Sequence, residues 1–361
     1  MQLLPNCFRL WLLSRNPTVV KTKTKDIQMT LRKIAVSILL AGVAITASNA
    51  SNITGRGASF PAPVYVDWSQ AYFKATGNKV TYTGTGSGDG IKSINKQLVD
   101  FGGSDEPLKA DKLSEGKLSM FPAIIGSIVL AYNIPGVADN QLKLSEKAIA
   151  AIFSGEAKFW DDAVITADNA GVALPHQPII VAVRADSSGT TFNFTYYLNK
   201  LDRNIFSANK KPEWKGNIVG GKGNQGVTAN IQQNKYSIGY IEYSYKLKSG
   251  LPAATVQNRE GKWIKPTVAS FQDAAKYAKW DKSNDFYAMI AYPKGATSYP
   301  IVAASFILVA NEKAAENKEV AKFFEWAFAN GDQIAANLGY VPLPDETVRE
   351  INAYWQSKGM K

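Results

Sequence analysis

Apolar residues along this chain change period several times, and each change marks an element. Val64, Trp68, Ala71, Tyr72 and Ala75 recur at helical spacing, which predicts a helix over about Pro61–Thr76. Val80-Thr81-Tyr82-Thr83 is a β-rich run that stops in a glycine-dense turn, Gly84–Gly90. Ile91, Ile94 and Leu98 then mark a second helix, and Asp100–Asp105 reads as a short strand with its loop. Ile124–Ile134 and Ile179–Val183 are apolar enough for buried strands. After Arg184–Thr190, Phe194, Tyr197, Leu198 and Leu201 share one helical face. Tyr236–Ile241 is a strand candidate weakened by its central Gly239. Pro300–Val309 is apolar again, and Val320, Phe323, Phe324 and Ala327 predict an amphipathic helix near the C-terminus. Strand and helix alternate without a tandem repeat, which predicts an α/β fold.

Length changes this picture first, because 361 residues exceed one ordinary domain and favour two lobes. Hydrophobic residues at 45% and charged residues at 20% suit a globular chain rather than a disordered one. The start of the chain stands apart. Leu31-Arg32-Lys33, an apolar stretch from Ile34 to Ala44 and small residues ending in Ser48-Asn49-Ala50 have the layout of a secretory signal peptide. Met29 sits where such a peptide begins, so residues 1–28 read as an upstream extension and 29–50 as the signal. The apolar run is short for a bilayer. The single cysteine, Cys7, precedes the signal, so a chain starting near Ser51 has no disulfide, no thiolate metal site and no cysteine for a lipid anchor. A soluble periplasmic protein is the expectation. Residues 1–50 hold seven Lys/Arg and one Asp, which leaves 34 basic against 29 acidic residues beyond them. This mild excess attracts anions weakly. Without a basic run interleaved with aromatics, nucleic acid is not an expected partner.

Three segments share a design in which a strand end or turn carries a small hydroxyl residue and a helix follows. They are Gly57-Ala58-Ser59-Phe60-Pro61, Gly86-Ser87-Gly88-Asp89-Gly90 and Ser188-Gly189-Thr190. Each alone is an ordinary helix N-cap. Together they offer free N–H groups and positive dipole ends, which suit an oxyanion. Arg184 adds a planar, permanently charged fork for phosphate oxygens, and Asp186 either holds that fork in place or forms a plain surface pair with it. Asp105 is the most specific feature. An ionised carboxylate only accepts hydrogen bonds, so beside an anion it requires a ligand that still carries a proton. Phosphate near neutral pH keeps at least one and sulfate has none, so a site containing Asp105 discriminates between them.

These segments resemble the periplasmic phosphate-binding protein of phosphate-specific ABC transporters. The likeness spans roughly Ser51 to the C-terminus. It is strongest in Thr54–Tyr65, Val99–Asp105 and Arg184–Thr190, and is supported by Gly220–Asn224 and Ile238–Tyr243. The resemblance implies a two-lobed periplasmic-binding-protein fold of type II, closing on one dehydrated phosphate in the cleft between its lobes. Crossings are expected near Ala131–Ile134 and Pro300–Ala303, giving lobe one as 51–131 with 301–361 and lobe two as 132–300. It further implies phosphate contacts from Ser59, Phe60, Ser87 and Asp105 on one lobe and from Arg184, Ser188, Gly189 and Thr190 on the other, with Asp186 supporting Arg184. No catalytic residue, metal or cofactor is expected. The implied partners are phosphate and a membrane permease, with the protein acting as a monomer. Ser59 replaces a familiar Thr, and Asp89 and Ser187 stand where glycine is expected; Asp89 either caps its helix or weakens the site.

Rival readings are a binder of another tetrahedral oxyanion, a secreted phosphohydrolase and an adhesive surface protein. His176 is the only histidine, and Pro175-His176-Gln177 reads as an exposed loop, which leaves a Ser-His-Asp triad little to use. Gly216–Lys222 approaches a phosphate-binding P-loop, but Gly223 stands where Ser or Thr would hold Mg²⁺.

Overall fold

The computed structural model describes residues 51–361. The expected extension (1–28), signal peptide (29–50) and Cys7 lie outside the described residues. Within the described part, β1 (Asn52–Gly57), α1 (Ala62–Thr76), β2 (Lys79–Gly84), α2 (Ser87–Asn95) and β3 (Phe101–Ser104) form a parallel β-α-β start, followed by α3 (Ala110–Gly116) and the long β4 (Leu118–Asn133). The middle of the chain gives β5 (Lys143–Leu144), α4 (Glu146–Ser154), α5 (Ala163–Thr166), β6 (Ile180–Arg184), α6 (Gly189–Leu201), β7 (Ile218–Gly221) and α7 (Gly223–Gln233). It continues through β8 (Ser237–Glu242), α8 (Tyr243–Ser249), β9 (Thr255–Gln257), β10 (Trp263–Ile264) and α9 (Val268–Ala275). Then β11 (Val302–Ala310) leads to α10 (Ala314–Asn330), α11 (Asp332–Asn337) and α12 (Asp345–Ser357).

Eight strands run in the order β2-β1-β3-β11-β4-β8-β6-β7, and β10-β9-β5 make a small second sheet. β4 connects the two halves of the large sheet. From Leu118 to Ser127 it pairs antiparallel with β11, and from Ile128 to Asn133 with β8. This exchange of partners lies a few residues before the Ala131–Ile134 crossing expected from sequence, and Ile128 N–H bonds Ile301 O where the returning chain enters β11. Both faces of β4 and β11 are covered, which is why their sequences are apolar without alternation.

Each half has its own aromatic core. In the first, Tyr65, Trp68, Tyr82, Phe101 and Phe324 pack ring against ring. In the second, Phe153, Phe194 and Tyr240 do the same. One sequence expectation fails: α2 ends at Asn95, and Leu98 lies outside it with 67% of its surface exposed. Spacing alone placed Leu98 on a buried face, but Gln97 adopts a positive φ of 54° and turns the chain away. Gly239, the suspected weak point of β8, is required by close packing, since a Cβ there would meet Ala182 O at 2.7 Å.

Candidate functional site

The parallel strands of each half deliver their loops and helix starts to the line where the halves meet. The first half brings Ser59 and Phe60 from the β1–α1 loop, Ser87 from the first residue of α2, and Asp105 from just after β3. The second brings Arg184 from the end of β6, Ser188 as the N-cap of α6, and Gly189 and Thr190 from its first turn. All eight are buried: Asp105 is 1% and Arg184 4% exposed. The residues singled out in the sequence therefore converge on one place.

Their contacts cross between the halves. Gly189 N–H donates to Ser87 Oγ at 3.0 Å, and Asp105 N–H donates to the same oxygen at 3.2 Å. Asn193 Nδ2 donates to Asp105 O at 2.6 Å. A Cβ at Gly189 would stand 2.4 Å from Ser87 Oγ and 2.7 Å from Asp105 Cβ, so only glycine permits this approach. Gly86 is constrained likewise, with φ of 106° and Asp186 Oδ2 where its Cβ would fall. At the edge, Lys210 Nζ meets Glu106 Oε2 at 2.8 Å, a half-exposed pair of small energetic weight.

The backbone of the β1–α1 loop is aimed by two tyrosines. Tyr82 OH donates to Ala58 O at 2.8 Å and Tyr245 OH to Ser59 O at 2.7 Å. Because C=O and N–H oppose each other across a planar trans peptide, these bonds point the N–H groups of Ser59 and Phe60 the other way. Neither N–H donates to an acceptor among the described residues.

Arg184 is held from both sides. Its Nε bonds Asp186 Oδ1 at 2.8 Å, its Nη2 pairs with Asp186 Oδ2, and its Nη1 reaches Thr190 Oγ1 at 3.3 Å. Of five guanidinium hydrogens, two remain for a ligand. Burial pushes the Asp186 carboxyl up, but the Arg184 fork outweighs it and holds the group below its ordinary value. Asp105 goes the other way. Burial pushes it up to about 7, against the opposing pull of the Ser305 hydroxyl and Arg184. Ser305, on β11, donates to Asp105 Oδ1 at 2.9 Å.

Several contributors were not among the sequence candidates. Asn224, on the first turn of α7, donates to Ser59 Oγ from both its N–H and its Nδ2, each at 3.0 Å. Its segment directly follows the P-loop lookalike Gly216–Lys222; a fourth helix start after a Gly-Gly strand end, this one without a hydroxyl residue, is the available signal. Ser305, Asn193, Tyr245 and Glu242 carry no such signal. Glu242 is fully buried at the end of β8, and burial pushes it up to about 8 against bonds from Ser244 and Tyr340. Asp89 turns outward to Thr85 and, at 3.9 Å, Arg56, so its charge is spent at the surface. His176 is exposed, stacked on Phe159 and bonded to Asp161, far from any triad geometry.

A split sheet whose two halves meet at buried helix N-termini, one arginine and one carboxylate defines a two-lobed binding protein with a central ligand region, and a family model described as a PBP superfamily domain matches residues 42–330. The phosphate-binding protein PstS of Pasteurella multocida is 43% identical over 337 residues, 91% of this chain and 97% of that one. That of Haemophilus influenzae is 42% identical over 335 residues, 91% of this chain and 99% of that one. Among solved structures, a high-affinity periplasmic phosphate-binding protein bound with phosphate superposes with a TM-score of 0.70 at 23% identity, covering 84% of this chain and 93% of that one, which shows the shared fold. The chain belongs to the PstS family of ABC-transporter phosphate-binding proteins, a family of binding proteins and not of enzymes.

Proposed function

We propose that this protein captures inorganic phosphate between its lobes in the periplasm, after export by residues 29–50, and as a monomer delivers it to an ABC permease. Lobe one is 51–131 with 301–361 and lobe two is 132–300; the exchange of β4 partners at Ser127/Ile128 supports a crossing close to that division. The family assignment supports the ligand. The observation that carries the reading is the meeting of Ser59, Phe60, Ser87 and Asp105 with Arg184, Ser188, Gly189 and Thr190 in one buried cluster that holds a single carboxylate among many donors.

The donor set is complete only when the lobes are together, so a ligand touching both favours the closed state over the open one. Asp105 supplies the acceptor that a protonated anion needs. Titration calorimetry with phosphate and, separately, sulfate tests this: one-to-one phosphate binding with no sulfate heat is expected well above pH 7, where Asp105 is ionised, and an absence of phosphate binding would sink the reading.

A further inference from the structure

A serine hydroxyl has one hydrogen and two lone pairs, so an oxygen that already accepts two N–H groups has only its hydrogen left to offer. Ser59 Oγ is in this condition, with both lone pairs occupied by Asn224 N–H and Nδ2. Asn224 has no freedom to rotate out of the arrangement. Its second amide hydrogen goes to Thr190 Oγ1 at 3.2 Å, and its Oδ1 accepts Glu242 N–H at 2.9 Å. Flipping the amide would set Nδ2 against the Glu242 donor. Ser59 is 1% and Asn224 0% exposed, so water does not compete.

We propose that Asn224 is a positioning residue which, on closure of the lobes, fixes the Ser59 hydroxyl as a donor aimed at the bound anion. The idea rests on the phosphate reading above and adds the residue that sets donor direction. In the open state the Ser59 hydroxyl rotates freely and bonds water; bringing α7 against the β1–α1 loop removes that freedom. Ser87 Oγ also accepts two N–H groups in this structure, from Gly189 and Asp105, but the Gly189 N–H is a ligand donor in the phosphate reading and turns to the anion when it binds. For Ser87 the donors are backbone groups, whereas for Ser59 half of the task falls on one side chain. Asn224 touches no ligand in this scheme and acts through Ser59.

The test is a double-mutant cycle on the full chain, with the Kd for inorganic phosphate read by calorimetry. Asn224→Ala in the Ser59 background is expected to weaken binding about tenfold, the worth of one hydrogen bond to a charged group. In a Ser59→Ala background the same change is expected to cost much less, a coupling of at least about fivefold, because no hydroxyl remains to be oriented. An equal loss in both backgrounds would overturn the inference, since a merely structural asparagine acts regardless of Ser59. If Asn224→Ala does not fold, judged by thermal melting without phosphate, Asn224→Ser replaces it in both backgrounds: its side chain is too short to reach the Ser59 hydroxyl and adds no charge, so the same coupling is read. A wild-type chain that bound no phosphate would instead overturn the phosphate reading itself.

Discussion

Asp105 combines deep burial with a carboxyl pushed up to about 7, so its charge state near neutrality depends on what lies beside it. Sulfate needs the neutral form, whereas a protonated phosphate pairs with the ionised one. A carboxyl with a raised pKa takes up its proton as pH falls, so sulfate exclusion is expected to weaken on acidification. Above about pH 7 the apparent sulfate affinity should rise by up to about tenfold per unit of pH decrease and level off below it. A sulfate titration series shows this; a flat profile would remove Asp105 from the discrimination. Asp105→Asn makes the change permanent, and a narrowing of the phosphate-to-sulfate ratio by at least about tenfold is the expected result in competition binding at a pH more than one unit above 7, where the wild-type carboxyl is ionised. At this scale the sequence told much. Arg184, Asp105 and the hydroxyls were legible because each sits in a local motif whose chemistry is written within a few residues. Asn224 and Ser305 were not, because their partners lie 165 and 200 positions away and only the fold brings them close.

Between elements, the helix starts matter more than the helices. α2 and α6 approach so closely that Gly189 cannot carry a side chain without meeting Ser87 and Asp105. Gly189→Ala is therefore expected to hold the lobes apart, weakening phosphate binding more than about tenfold while changing ligand-free stability little, since the clash exists only across the closed cleft. Small-angle scattering with excess phosphate should show the wild type compact and the variant still open; a variant that closes normally would contradict the packing argument. Periodicity made these elements readable, because the apolar faces of α1, α6 and α10 and the unbroken apolar strands β4 and β11 follow simple patterns. It misled at Leu98, where three apolar residues at helical spacing continue past a helix that has already ended at Asn95. A left-handed turn at Gln97 leaves no trace in a hydrophobic pattern. Nor does a pattern show where β4 changes partners, because both of its sections are buried alike.

Over the whole molecule, two buried carboxyls tie stability to pH. Asp105 is raised from 3.8 to about 7 and Glu242 from 4.5 to about 8, both chiefly by burial. Between about pH 4 and pH 8 the folded chain thus holds protons that the unfolded chain has released, and stability falls as pH rises through that window. The ligand-free melting temperature is expected to be lower near pH 8 than near pH 5 from these groups, and Glu242→Gln should flatten the slope; an unchanged slope in that variant would assign the effect elsewhere. Phosphate should then raise stability by about 2.7 kcal/mol at a hundredfold excess over Kd, as any ligand of the folded state does. The most direct test of the central claim is a crystal structure of the protein grown with phosphate. The account predicts one anion enclosed between the lobes, contacted by Ser59, Phe60, Ser87, Arg184, Ser188, Gly189 and Thr190, with Asp105 facing its protonated oxygen. Phosphate bound elsewhere, or lobes that remain apart around it, would contradict the account.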